Sequence, residues 1–187
     1  PHFLKASVGF GGSCFQKDIL NLIYLCNYYG LEEVANYWEK VISINNWQRN
    51  RISNIVTEKL FGTLSDKKIA IFGFAFKANT NDTRESAAIN ICKNLIDEGA
   101  KLSIYDPKVN KKQIKLELGQ DEFQEINLDS QNGSWKSFNN LEKAVIGTDA
   151  ILILTEWEEF MNLNWDLFYE IMRKPAWVFD TRSIINI

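Results

Sequence analysis

Residues 67–105 read KKIAIFGFAFKANTNDTRESAAINICKNLIDEGAKLSIY, and the fold class turns on how this stretch is punctuated. Ile69-Ala70-Ile71-Phe72-Gly73-Phe74 is a short apolar run of the kind a strand buried on both faces requires. Arg84 to Glu98 carries apolar residues at helical spacing and stops at Gly99, and Lys101-Leu102-Ser103-Ile104-Tyr105 is a second strand. Strand, helix, strand in that order predicts a βαβ unit. Toward the carboxyl end, residues 108–140 are polar with a weak apolar pattern and read as an insertion holding one short helix. Leu141 to Gly147 gives a short helix, Ala150 to Leu154 a buried strand, Trp165 to Arg173 a helix and Trp177-Val178-Phe179 a last strand. Alternation of this kind predicts an α/β fold, a parallel sheet covered by helices.

Toward the amino end the texture changes. Gly62-Thr63-Leu64-Ser65-Asp66 breaks a helical region, so two units are expected, residues 1–62 and 63–187. From Leu31 to Phe61 no Pro or Gly intervenes. Val34, Trp38 and Val41, then Ile52, Ile55 and Val56, give apolar stripes separated by Asn45, Asn46, Gln48 and Arg49, the pattern of one long helix or of two joined by a bend. Trp38 and Trp47 need a surface to bury against, either a second copy or this chain's own body. Before this, Ser13 and Gln16 form an S-x-x-Q capping box, and Phe15, Ile19, Leu22, Ile23 and Cys26 recur at helical spacing as far as Gly30.

Composition excludes several classes. The 187 residues, 45% of them hydrophobic, suffice for one ordinary domain or a small domain with an appendage. Lys and Arg number 21 against 24 Asp and Glu, a net charge of -3 that offers no field for nucleic acid. No apolar run has bilayer-spanning length, and Pro1-His2-Phe3-Leu4-Lys5 is not a signal peptide, so a soluble, cytoplasmic protein without membrane contact is expected. With three scattered cysteines and one histidine, neither a disulfide framework nor a metal site is expected. A glycine-rich motif that opens almost at once, without an initiating Met, reads as a chain cut from a longer one.

The cysteines differ in setting. Cys26 lies on the apolar face of the first helix and Cys92 shares a face with Ile89, Leu95 and Ile96, both the setting of a small buried hydrophobe. Cys14 follows Gly11-Gly12-Ser13 at a helix start, where unpaired N–H groups and the dipole favour a thiolate, and Lys17 adds positive charge one turn on. Helix-start cysteines also serve as ordinary structure. Asp18, four residues later on the same face, is either a solvated first-turn carboxylate or a group that can hold water beside the sulfur.

The run Phe3-Leu4-Lys5-Ala6-Ser7-Val8-Gly9-Phe10-Gly11-Gly12-Ser13-Cys14-Phe15-Gln16-Lys17-Asp18 resembles the active-site segment of UDP-glucose dehydrogenases, within the UDP-glucose/GDP-mannose dehydrogenase family. Gly73 to Lys77, Asp82 to Ser86, Tyr105-Asp106-Pro107, Thr155-Glu156-Trp157 and Phe179 to Arg182 recur in that family's order. The resemblance implies a helical central, dimerising segment followed by a Rossmann-like UDP-binding domain, with the amino-terminal NAD-binding domain missing. It implies two successive hydride transfers from UDP-glucose to NAD, with Cys14 passing through a thiohemiacetal and a thioester and Asp18 near the hydrolytic water. By the same resemblance Lys5, Ala6, Ser7, Val8, Gly9, Phe10 and Gly11 form the substrate loop. Phe76, Lys77 and Arg182 also meet the substrate, while Cys14, Phe15, Gln16, Lys17 and Arg84 border NAD.

Read without the family, a Lys or Arg after a strand is more often a surface charge, and Arg84 has Asp82 or Glu85 for a partner. Asp82-x-x-Glu85 resembles a helix-capping device, and Asp106-Pro107 a turn. Trp157 has no derivable role. The G-x-G-x-x-G fingerprint is absent after Gly73, so the second unit is not expected to bind NAD itself. Ala78, Asn79 and Asn81 depart from the family pattern, as do Thr181 and Ser183 beside the retained Arg182. The isolated chain is expected to lack dehydrogenase activity. Alternatives are a sister dehydrogenase of UDP-N-acetylhexosamine or GDP-mannose and a non-catalytic nucleotide-sugar binding or dimerisation module.

Overall fold

The structure, a computed structural model, describes residues 7–122 and 132–185. A loop of residues 7–13 leads into helix α1 (Phe15–Tyr28), and α2 (Glu32–Lys59) follows. Then come β1 (Lys68–Phe72), α3 (Ala87–Asp97), β2 (Lys101–Tyr105), α4 (Lys111–Leu118) and β3 (Ser134–Phe138). The chain continues with α5 (Leu141–Val145), β4 (Ala150–Ile153), a 3-10 turn (Glu158–Phe160), α6 (Trp165–Ile171) and β5 (Trp177–Asp180).

The five strands make one sheet in the order β3-β2-β1-β4-β5, every neighbouring pair parallel. The connection reverses direction between β1 and β4, the topological switch point beyond whose carboxyl ends open α/β sheets bind ligands. Central strands β1, after its first residue Lys68, and β4 are apolar and buried on both faces, as the Ile69–Phe72 and Ala150–Ile153 runs require.

Two apolar clusters hold the chain together. The larger surrounds the sheet, and it includes Val56, Leu60 and Leu64 as well as Val8 of the amino-terminal loop. The smaller joins Ile19, Ile23, Cys26 and Ala35, with Phe10, Trp38, Val41 and Ile42 packed on it. Helix α2 therefore belongs to both: its first half packs on α1 and its last turns on the sheet unit. It is one helix of 28 residues, not two. Trp38 finds its surface on this chain, whereas Trp47 stays 60% exposed with Arg51 stacked over its ring.

Three local expectations are corrected. The capping box at Ser13 does not form, because the helix begins at Phe15 with Cys14 as its N-cap and no side-chain cap bond. Ser13 thus falls one residue too early for its hydroxyl to meet the N2 or N3 amides, and its Oγ lies 3.7 Å from the Cys14 sulfur instead. Likewise α3 starts at Ala87, not Arg84. Its cap is Ser86, whose Oγ accepts from the Ala88 amide, while Asp82 is engaged by Arg84 and Glu85 has a positive φ of 54°. The polar 108–140 stretch holds, besides α4, the strand β3; at the sheet edge only Trp135 of its five residues is buried, so no apolar run announces it.

Candidate functional site

The polar residues that interrupt the apolar stripe of α2 hold the amino-terminal loop. Asn45 Oδ1 accepts from the Phe10 amide at 2.8 Å and its Nδ2 donates to the Phe10 carbonyl at 3.2 Å, engaging the peptide groups on both sides of that residue. Gln48 Nε2 donates to the Ser7 carbonyl at 3.0 Å. Arg49, only 4% exposed, donates through Nη2 to the carbonyls of Phe10 at 2.7 Å and Glu85 at 3.0 Å. Burial lowers its pKa from the ordinary guanidinium value, and the Glu85 carboxylate, 3.9 Å away, opposes that shift.

Glycine is obligatory where the loop meets the sheet unit. A Cβ on Gly11 would lie 2.3 Å from the Glu85 carbonyl oxygen, and one on Gly12, whose φ is +88°, 2.9 Å from the Phe76 ring. At that approach the Gly12 amide donates to the Arg84 carbonyl at 3.0 Å. Val8 is buried, Ser7 Oγ bonds the Gly9 carbonyl, and Phe10 packs edge-to-face on Phe15 at 4.7 Å. Lys5 and Ala6 lie outside the described residues.

Cys14 is exposed, whereas Cys26 and Cys92 are buried and burial pushes the Cys92 thiol far up. Asp18 stands one turn along, its amide bonded to the Cys14 carbonyl, and its side chain is exposed like that of Lys17. Gln16 is half-buried. Arg84 grips Asp82, with Nε and Nη2 donating to the carboxylate at 2.7–3.2 Å. That contact, with a smaller contribution from the Cys14 sulfur, raises the Arg84 pKa. The same bond holds Asp82 below the usual carboxylate range, and Lys77 adds to the effect from a distance.

Beyond β1, the loop of residues 73–76 is fixed by three side chains. Asp106 Oδ2 accepts from the amides of Phe74 and Ala75 and from the Trp157 indole, while its Oδ1 accepts from the amides of Lys108 and Val109. Ser86 Oγ donates to the Phe74 carbonyl and Thr155 Oγ1 to that of Ala75. Phe76 leaves this frame half-buried, with the exposed Lys77 ammonium 5.3 Å from its ring centre. After β5, Asp180 accepts from the amides of Arg182, Ile184 and Ile185, and Thr181 donates to the Ile153 carbonyl. Arg182, with 15% of its side chain exposed, pairs with Glu156.

These parts face one cleft of about 670 Å³. Its walls include Ser7, Gly9, Phe10, Gly11 and Phe15 from the loop and α1, Asn45 and Gln48 from α2, and Phe76, Glu156 and Arg182 from the sheet unit. It lies beyond the carboxyl ends of β1, β4 and β5. Of the residues expected at a substrate, the described loop members other than Val8 line it together with Phe76 and Arg182. Lys77 is not among its lining residues, nor are Cys14, Lys17 and Arg84, all of them exposed.

The model of the UDP-glucose/GDP-mannose dehydrogenase family's UDP binding domain matches residues 70–187, and that of its central domain residues 1–47. The chain belongs to this family. It is 51% identical over 189 residues to UDP-glucose 6-dehydrogenase of Caenorhabditis elegans, covering 98% of this chain and 37% of that protein. It is 47% identical over 197 residues to UDP-glucose 6-dehydrogenase 2 of Oryza sativa, covering 100% and 40%. This dehydrogenase-family chain thus spans about 40% of the length of the curated relatives it matches. A UDP-glucose dehydrogenase structure from Pyrobaculum islandicum superposes with a TM-score of 0.77 at 26% identity, covering 98% of this chain and 37% of that one.

Two groups of residues that shape the loop and the cleft are not marked as such by the sequence. Asn45, Gln48 and Arg49 looked like breaks in a stripe; their spacing, which puts polar groups on the face that should be buried, was the available signal. Asp106 and Trp157 gave none, since the near partners of Asp106, Lys108 and Val109, mark only a turn, and the bonds that tie it to Phe74, Ala75 and Trp157 span 31 to 51 residues.

Proposed function

We propose that the chain supplies the nucleophile and the nucleotide-sugar site of an NAD-dependent enzyme that oxidises UDP-glucose to UDP-glucuronate. The observation that carries this reading is an exposed cysteine on a glycine loop that is bonded, through Gly12 and Arg84, to the unit whose cleft holds Arg182 and Phe76. Identity near one half to proteins named UDP-glucose 6-dehydrogenase supports glucose as the sugar.

The diphosphate meets Arg182 after exchange with Glu156, the glucosyl group lies against the backbone of residues 7–11, and Phe76 offers an apolar wall. Lys5, Ala6 and Lys77 complete the substrate contacts. Each of the two oxidations would need its own NAD molecule, bound in turn, as the acceptor of one hydride. Exposed Cys14, Phe15, Lys17 and Arg84, with half-buried Gln16, fit it, since Arg84 can exchange Asp82 for an anionic group arriving from solvent. The turn after β1 does not fit, because Asp106, Ser86 and Thr155 tie down its backbone.

After the first oxidation the Cys14 thiolate adds to the C6 aldehyde, forming a carbon–sulfur bond whose oxyanion takes a proton. The thiohemiacetal then gives up its C6 hydrogen as hydride and its hydroxyl proton to become a thioester. Water adds and expels the thiolate, with Asp18 one turn from the sulfur as the group that holds or deprotonates it. Residues 1–62 and 63–187 are the two working units, and the assembly is a homo-oligomer built on dimers. Among the described residues no helix is long and apolar enough to cross a membrane.

Calorimetric titration of the chain with UDP tests the site: saturable heat is expected, and binding about tenfold or more weaker in Arg182→Ala. No heat from the unaltered chain rejects the cleft. For the chemistry, the complete enzyme caught in turnover should carry a sugar adduct on Cys14, and undiminished turnover in Cys14→Ser would overturn the covalent route.

A further inference from the structure

We propose that Arg49 is a positioning residue for Cys14: its buried guanidinium bridges the Phe10 and Glu85 carbonyls and so fixes the cysteine's loop in register with the sheet unit. The two carbonyls come from segments far apart in sequence, and the bond from Gly12 to Arg84 follows directly beside this bridge. Asn45 and Gln48 bind the loop to α2 alone; Arg49 also reaches across to the second unit. Rigid contact on the other side comes from Gly11, pressed against the Glu85 carbonyl.

The energetic balance argues that this cation is kept for geometry. A charge at this depth loses its hydration, the Glu85 carboxylate compensates only from 3.9 Å, and the guanidinium Nε finds no acceptor among the described residues. Buried ionic groups of this kind add little net stability over apolar side chains of equal volume, and their best-attested use is to specify one arrangement over another. A planar fork presenting several donors spans two carbonyls at once, which a Lys ammonium on a flexible stem does poorly.

The turnover consequence rests on the reading of Cys14 as nucleophile; the register itself does not. In chains carrying Arg49→Lys or Arg49→Gln, hydrogen exchange of the Gly12 amide should accelerate about tenfold or more, while that of Phe76, bonded to the Asp82 carbonyl, stays near its original rate. In the complete enzyme, Arg49→Lys should lower kcat on the order of 10²-fold, with a smaller change in KM. Unchanged Gly12 protection in a folded variant overturns the inference. So does equal acceleration at Gly12 and Phe76, which marks general loosening, or failure of both variants to fold, which assigns Arg49 to stability. Gly12 freed with kcat intact overturns the positioning of Cys14 for turnover, while Cys14→Ser separately tests the nucleophile.

Discussion

Asp106 gathers five donors from three strand ends onto one carboxylate, and the loop that presents Phe76 has its shape because of it. Replacing it with Ala strands those donors in a buried place, each at about 1–3 kcal/mol, so a loss of at least about 3 kcal/mol is expected. Urea titration of Asp106→Ala against the unaltered chain measures this, and a loss below about 1 kcal/mol would show the donors finding other partners. The dipeptide Asp106-Pro107 reads as a turn because a turn is all that its neighbours in sequence reveal. By contrast the three cysteines were legible: helical phase puts Cys26 and Cys92 on buried faces, and the glycine run before a helix start sets exposed Cys14 apart. Helix-start chemistry was read with less success, since Ser13 matches a capping pattern but stands one residue short of the place where that pattern works.

At the scale of elements, α2 decides how the two clusters are joined. Leu60, 2% exposed just past its last turn, packs on the sheet core, and Leu60→Ala should cost about 2–5 kcal/mol by leaving a cavity there. Chemical denaturation followed by far-UV circular dichroism reads that loss directly. A cost near zero would mean that the end of α2 collapses onto the vacancy and contributes little to the junction. Central strands were legible because burial on both faces demands unbroken apolar runs. Edge strand β3 was not, because four of its five residues keep some contact with solvent and tolerate Ser and Lys. The polar face of α2 was visible as a pattern without a meaning, since the carbonyls it serves belong to a loop more than thirty residues away.

For the molecule as a whole, stability at the alkaline edge carries the mark of Tyr105. Burial first, then its bond to Glu159, pushes this phenol up to about 12. The group is neutral when protonated, so the folded state favours the protonated form. Its contribution is complete below the unfolded phenol's pKa near 10 and is lost as pH rises from there through about 12. Stability measured by urea midpoint across that window should fall more steeply for the unaltered chain than for Tyr105→Phe; parallel curves would refute the assignment. The global plan, a parallel sheet preceded by helices, was readable from alternation and from the family resemblance. The joining of cleft and cysteine loop was not, because it depends on a few polar bonds between segments that no periodicity links. Helix α2 runs about 42 Å without a joint at 1.5 Å per residue. Tyr37, Ile44 and Trp47 stand exposed on the same continuous helix that carries Asn45, Gln48 and Arg49, so a body leaning on those three side chains would also press on the anchor of residues 7–10.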